Sequence, residues 1–224
     1  MMYQLPPISA DLRRDFQRDN YVLVQRALPS ELIARWRQEA EQLARYARTI
    51  RRVDNDFKLV YRVLTGEVIQ QHWPELFAFY TDGSVLKWVK DVTGENAIYL
   101  SRHLQSAVNV NIMEGADSVY RWHFDAVPYT ALLYLTDALP DDGGAVELVA
   151  NCEPHQVPDL RKADVRRVWP EAGMLLLMDG TRCYHRVDRL LRPVTRYSVP
   201  LVYPNREDSL RPAGLDDYLF DTAR

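Results

Sequence analysis

Three side chains in this sequence have the types and the spacing to hold one metal ion. His123 and Asp125 stand two apart in "YRWHFDAVPYTALLYL", and His185 follows 60 residues after Asp125 in "TRCYHRV". In an extended chain residues i and i+2 point the same way, so His123 and Asp125 can share a cation. The intervening chain is long enough for several strands to cross a barrel and bring a second imidazole beside the first. Two histidines and one carboxylate on one face of a metal leave open positions on iron(II) for substrate and dioxygen. Zinc accepts the same ligands, so the triad by itself leaves the metal open.

Arg196 and Ser198 bear on that choice. Arg196 lies 11 residues after His185 in "RYSVPLVYP", and Ser198 shares its face at i+2. A guanidinium offers two parallel donors to a carboxylate, and the hydroxyl adds another. A keto diacid chelating a metal through one end would reach this pair with the other.

With these residues in place, the chain resembles the iron(II)/2-oxoglutarate-dependent oxygenases. The resemblance runs from about Asn109 to Tyr203 and rests on "HFD", "GG" ahead of an apolar strand, "AGMLLLMDG", "HRV" and "RYS" in that order. "DFQRDNYVLVQRALPSELIARW" is similar to the opening segment of the phytanoyl-CoA-hydroxylase-like branch. "WHFDAVPYTALLYL" with "GTRCYHRVDRL" resembles small bacterial members acting on free amino acids, some of them halogenases. The resemblance implies that His123, Asp125 and His185 bind Fe(II), and that Arg196, with Ser198 assisting, holds the distal carboxylate of 2-oxoglutarate. It further implies an O2-dependent decarboxylation to succinate and CO2, coupled to oxidation of an unactivated C–H bond. In the halogenases a Gly or Ala replaces the carboxylate and opens a site for chloride. Asp125 fills that place here, so the expectation is hydroxylation of a small molecule, such as an amino acid or another biosynthetic intermediate. Desaturation or ring closure would use the same oxidant.

Several residues near these motifs are candidates for the substrate pocket: Arg102, Asn109, Asn111, Tyr120, Trp122, Tyr129 and Arg182. Arg102 or Arg182 could grip a substrate carboxylate in a bidentate contact. Asn109 and Asn111 alternate with Val108, Val110 and Ile112, and neighbouring strands are apolar on both faces, so the two amides are expected to line a polar cavity inside a barrel. His72, His103 and His155 have no ligand-like register with the triad. His155, in "NCEPHQVP", reads as a solvated loop histidine.

The elements that would position these groups fall into two halves. "ISADLRRDFQRDN", "PSELIARWRQEAEQLARYART", "GEVIQQHW" and "PELFAFYTDGSVLKWVKDVTG" read as helices, the last broken near Asp82-Gly83, with a brief strand at "YVLV". Ser30 is placed to cap the second helix, and the basic cluster Arg45, Arg48, Arg51 and Arg52 reads as the wet side of a helix. From about Ala97 the pattern turns to strands: "AIYLSRHLQSAVNVNIME", "TALLYLTD", "GAVELVA", "GMLLLMDG" and "RYSVPLVYP". Helices followed by many short strands suggest a mainly β fold with α, a double-stranded β-helix of the jelly-roll or cupin kind with N-terminal helices on one outer face. The expected organisation is one domain over 1–224, with a mostly helical support at 1–96, the β-helix core at 97–206 and a tail at 207–224.

Composition narrows the remaining classes. A net charge of −3 gives no global basic field for nucleic acid. No stretch approaches 18 apolar residues and the N-terminus lacks an apolar signal region, so a cytoplasmic protein is expected, with no membrane partner. Cys152 and Cys183 lack zinc-site spacing and read as buried free thiols. Oligomeric state is open. Two rivals stand beside the oxygenase reading: a cupin-like metal dioxygenase or isomerase without a cosubstrate, and a non-catalytic binding barrel. The first has no use for Arg196 and Ser198. The second has no reason to keep three ligands and an anion receptor.

Overall fold

The computed structural model describes residues 3, 5–54, 57–116 and 118–207. It opens with helix α1 (Ala10–Asp19), strand β1 (Tyr21–Val24) and helix α2 (Ser30–Leu43). The hairpin β2 (Arg48–Asp54) and β3 (Phe57–Leu64) follows, then helices α3 (Gly66–His72), α4 (Pro74–Thr81), α5 (Gly83–Thr93) and α6 (Leu104–Ala107). The remaining strands are β4 (Val110–Glu114), β5 (Tyr120–His123), β6 (Tyr129–Tyr134), β7 (Val146–Val149), β8 (Arg166–Val168), β9 (Leu175–Asp179), β10 (Tyr184–Val187) and β11 (Thr195–Tyr203).

Local chemistry explains the helix boundaries. The Ser9 side chain accepts from the Leu12 N–H at the start of α1, and Asn20, at φ 58°, closes it with its N–H on the Phe16 carbonyl. Asp82 divides α4 from α5 because its carboxylate caps the Ser84 N–H at 2.7 Å. Gly94, at φ 76°, ends α5 in the left-handed region that glycine enters freely.

The strands form two antiparallel sheets, one ordered β1-β9-β6-β11-β4-β3-β2 and the other β5-β10-β7-β8. Period-2 alternation sorts the large sheet's side chains into two cores. Val110 and Ile112 of β4, Ala131 and Leu133 of β6 and Val199 and Leu201 of β11 face outward and pack against Trp36, Leu76, Phe79, Trp88 and the rest of the helical layer. Leu132 and Tyr134 of β6, with Leu176 and Met178 of β9, face inward and meet Val146 of the small sheet. The fold is thus a double-stranded β-helix with its N-terminal helices on one outer face. Burial on both faces explains why "ALLYL" and "LLLMD" show no polar side.

The structure corrects the sequence reading at several places. Helix α2 ends at Leu43 rather than running to Thr49, and Ser30 is its first helical residue, preceded by Pro29, with no side-chain cap. Arg45 lies in a 3-10 turn (Ala44–Tyr46), whereas Arg48, Arg51 and Arg52 lie on β2. The basic cluster is therefore not the wet face of a helix. Strand β2 pairs with β3 from Arg48↔Val63 to Asp54↔Phe57 at the edge of the large sheet, where charged residues are favoured because they block further pairing. Within 1–96, strands β1, β2 and β3 join that sheet alongside helices α1 to α5. Short elements α6, β5, β8 and β10 were not separated from their surroundings in the sequence. Of the expected tail, 208–224 lies outside the described residues. Among the described residues no helix is long and apolar enough to cross a membrane.

Candidate metal centre

His123 ends β5, His185 lies on β10, and the two strands pair antiparallel with these histidines directly opposite. Their ring centroids are 4.1 Å apart. Asp125 lies two residues beyond β5, and its Oδ1 is 3.6 Å from His123 Nε2 and 3.8 Å from His185 Nε2. One ligand atom from each of the three residues lies within 4.8 Å of the others. Two donors each about 2.1 Å from one ion are at most about 4.2 Å apart, so the carboxylate oxygen and each imidazole fit a single coordination sphere.

The surroundings fix which atoms face inward. His123 Nδ1 is 2.8 Å from the Arg121 carbonyl, and His185 Nδ1 is 2.9 Å from the Cys183 carbonyl. A carbonyl accepts only from an N–H, so both rings carry the proton on Nδ1 and leave the Nε2 lone pair free for a metal. Thr130, the second residue of β6, donates its hydroxyl to Asp125 Oδ2 at 2.6 Å, leaving Oδ1 toward the imidazoles. The Asp125 N–H donates to the Gly180 carbonyl at 2.9 Å. A Cβ at position 180 would sit 2.2 Å from Asp125 Oδ2, so the glycine in "LLLMDG" is what gives the carboxylate its place. Burial and the adjacent His185 imidazole push His123 down to about 4, which keeps it neutral and able to ligate near neutral pH.

This cluster opens into a cavity of about 450 Å³ between the sheets. Arg196, the second residue of β11, lines the same cavity and is 2% exposed. Its Nε and one terminal nitrogen have no hydrogen-bond partner among the described residues, the other terminal nitrogen donates to the Met113 sulfur at 3.6 Å, and the Tyr134 ring lies against the guanidinium. Burial lowers its pKa, but a guanidinium remains charged in a protein. Gly144, the second glycine of the "GG" motif, makes room for this side chain: a Cβ there would meet the Arg196 Cδ at 3.3 Å and a Leu190 methyl at 2.8 Å. A buried cation without a carboxylate partner is a fitting receptor for an anionic group brought by a ligand. The donor set and this orphaned guanidinium both fit a metal with a keto diacid.

Of the residues expected in the pocket, Asn109, Asn111, Tyr120 and Ser198 line the cavity. Asn109, oriented so that its amide hydrogen bonds are satisfied, donates to the carbonyls of Gln105 and Val108. Four other candidates lie elsewhere. Arg102 is exposed and pairs with Glu207 at 2.6 Å. Trp122 stacks on Tyr184 with Arg186 over its ring, on the side of β5 away from the cavity. A bulge between the His185↔His123 and Val187↔Tyr120 pairs leaves Trp122 outward while Tyr120 and His123 both face in. Tyr129 begins β6 on its outward face, packing with Phe16 and donating to Glu95. Arg182 lies in the turn before β10, off the cavity, where its backbone bonds Asp179 and Cys152.

The sequence reading missed other lining residues. His155 is the exposed loop residue expected from the sequence, and it also lines the cavity, packing edge-on against Phe124 at 5.8 Å. Its φ of 60° turns the loop back toward the β9–β10 turn, where its N–H meets the Thr181 carbonyl. Nothing in "NCEPHQVP" announces that return. Thr130 and Met113 were legible in principle, as inward positions of β6 and β4 by period 2.

The fold is shared with solved structures at low identity. SnoK, a non-heme α-ketoglutarate-dependent carbocyclase from nogalamycin biosynthesis, superposes with a TM-score of 0.69 at 18% identity over 88% of this chain and 83% of its own. HygX from Streptomyces hygroscopicus, with nickel, 2-oxoglutarate and hygromycin B bound, gives 0.68 at 17% identity over 92% of both chains. EctD from S. alaskensis, with bound Fe, gives 0.69 at 17% identity over 94% of this chain and 86% of its own. No curated protein matches the sequence itself. The likeness to these enzymes is one of fold, that of the iron/2-oxoglutarate-dependent oxygenases. The family described as Halogenase D matches residues 7–218, almost the whole length. The chain belongs to the Halogenase D family.

Proposed function

We propose that the protein is a non-haem Fe(II)/2-oxoglutarate-dependent oxygenase that hydroxylates an unactivated C–H bond of a small molecule bound in the cavity. The observation that carries this reading is the buried guanidinium of Arg196, with two nitrogens lacking a hydrogen-bond partner among the described residues, in the same cavity as the His123, Asp125 and His185 cluster. When bound, Fe(II), 2-oxoglutarate and O2 supply the oxidising chemistry, coupled to release of succinate and CO2. The chain's own residues do the rest. His123 and His185 would present Nε2, and Asp125 Oδ1, as metal ligands. Arg196, with Ser198 beside it, would hold the distal carboxylate. Val127, Leu132, Met178 and Val202 would exclude water from the reacting bond. Asn109, Asn111 and Tyr120 are in place to orient the substrate.

Asp125 favours hydroxylation over halogenation in spite of the family's name. Its carboxylate is bonded to Thr130 and seated against Gly180, in the place that chloride would need. Desaturation and cyclisation use the same ligands and differ only in where the substrate's radical is held; hydroxylation is the simplest outcome. A cupin-like enzyme without a cosubstrate would leave the Arg196 charge buried without purpose.

An anaerobic titration tests the reading. Protein loaded with Fe(II) should develop a weak visible charge-transfer band on adding 2-oxoglutarate, and the band should require both components. Pure, iron-loaded protein that gives no such band would remove the proposal. Succinate release over a panel of metabolites, led by amino acids, would then identify the substrate.

A further inference from the structure

One wall of the cavity runs along β11. Arg196, Ser198, Pro200 and Val202 alternate on that strand and all line the cavity, a run of about 20 Å at roughly 3.3 Å per residue. The charge lies at one end of the run. From Pro200 onward the lining turns apolar, where Pro200 and Val202 are joined by Phe124 and Val127 from the segment between β5 and β6. The polar side chains bordering this end are already engaged. Thr130, directly across from Val202, donates to Asp125 Oδ2 at 2.6 Å. Ser106 donates to the His103 carbonyl at 3.4 Å, and the Asn109 amide to the carbonyls of Gln105 and Val108. Among the described residues, the acidic and basic side chains that line the cavity are the three candidate metal ligands, Arg196 and, at the exposed rim, His155.

We infer that the substrate is an uncharged molecule with an apolar body, seated against Pro200, Val202, Phe124 and Val127, rather than a free amino acid. The inference rests on the function proposed above and names the substrate class of the same cavity. A zwitterion would bring an ammonium and a carboxylate into this end, where each would lose water without meeting a counter-charge. An apolar body gains by leaving water, by about fourfold in affinity for each methylene buried. Asn111 and Tyr120, on the cavity wall, can pair with a neutral polar group of such a molecule.

The test measures the binding of matched ligands, by calorimetry without oxygen, to protein loaded with Fe(II) and 2-oxoglutarate. One series is alanine, 2-aminobutyrate, norvaline and norleucine; the other is their N-acetyl methyl esters, which carry no charge. Along the esters, affinity should rise about fourfold for each added methylene. The norleucine ester should bind at least about a hundredfold more tightly than norleucine itself. Val202→Asp should weaken that ester at least about tenfold, and Val202→Thr, which keeps the shape, by less, while the band formed with 2-oxoglutarate persists in both. Free amino acids that bind as tightly as their esters, or an ester series without a rise in affinity, would overturn the inference. So would Val202 variants that bind the norleucine ester like wild type. The oxygenase reading is tested separately, by the 2-oxoglutarate band, and survives each of these results.

Discussion

The two ends of the cavity handle their polar atoms in opposite ways. At the metal end, each histidine's Nδ1 is bonded to a backbone carbonyl, and Asp125 is held by Thr130 and the Gly180 backbone. At the other end, Arg196 keeps its buried Nε and one terminal nitrogen with no hydrogen-bond partner among the described residues. The contrast follows from what each end has to bind. A neutral imidazole can be aimed by a carbonyl at little cost, and the aimed lone pair then waits for an ion. A guanidinium can be satisfied only by an acceptor, and a protein carboxylate placed there would occupy the position a ligand's carboxylate needs. Leaving it unpaired costs stability, on the order of 1–3 kcal/mol for each unsatisfied group, and reserves the charge for an incoming anion.

The sharpest way to break the comparison is at the metal end. Asp125→Gly removes a proposed ligand and should lower 2-oxoglutarate-dependent turnover at least about a hundredfold, beyond the 10- to 100-fold cost of losing a mere outer partner. Succinate release and the oxidised product are the readouts, with chloride present so that any chlorinated product is seen. Hydroxylation at the wild-type rate would remove Asp125 from the ligand set. At the opposite end, Arg196→Met should weaken 2-oxoglutarate by about two to three orders of magnitude, the usual consequence of deleting one side of a buried charge pair. Iron binding should be untouched. The metal-free, 2-oxoglutarate-free variant should be as stable as wild type or more so, because an unpaired buried charge has been replaced by an apolar side chain. A large drop in melting temperature would show that Arg196 has a structural partner after all.

What the sequence revealed follows the same division. The groups of the candidate metal centre and of the Arg196 end are chemically uncommon and sit in short motifs, so "HFD", "HRV" and "RYS" could be read without knowing the path between them. The four outlying candidates, Arg102, Trp122, Tyr129 and Arg182, were chosen by nearness in sequence, which a sheet does not respect. One step along β6 separates outward Tyr129 from inward Thr130, and a single bulge turns Trp122 away from Tyr120 and His123. The β2–β3 hairpin was hidden because Arg48, Arg51 and Arg52 continue the charge spacing of α2, while buried Ile50 gives only one apolar position of strand period to contradict it. Tyr134 looked like core in "ALLYL". Only the pairing with Ser198 brings it to Arg196.

A finer test removes an outer partner at the metal end while leaving all three ligands in place. Thr130→Val deletes the hydroxyl that donates to Asp125 Oδ2. Iron affinity, measured by equilibrium dialysis, should fall about 10- to 100-fold. The preference for 2-oxoglutarate over pyruvate, which lacks the distal carboxylate, should persist, since Arg196 is untouched. Loss of that preference in Thr130→Val would mean that the two ends are coupled rather than separately built.

The smallest expected effect comes from pH, which should act on one end only. Arg196 stays charged throughout, whereas His123 is held neutral by burial and by its neighbour, with its pKa pushed down to about 4. In the unfolded chain the same imidazole takes up a proton near 6.5. As pH falls from about 6.5 toward about 4, the unfolded state of the metal-free protein therefore binds more protons than the folded state, and folding stability declines across that window. Above it the contribution is constant, and below about 4 the decline from this residue levels off. His123→Gln should flatten that part of the curve when melting temperature is followed against pH, while Arg196→Met should shift the curve without changing its slope there. An unaltered slope in His123→Gln would mean that its imidazole is free to charge in the folded protein, which is incompatible with a ring held ready for a metal.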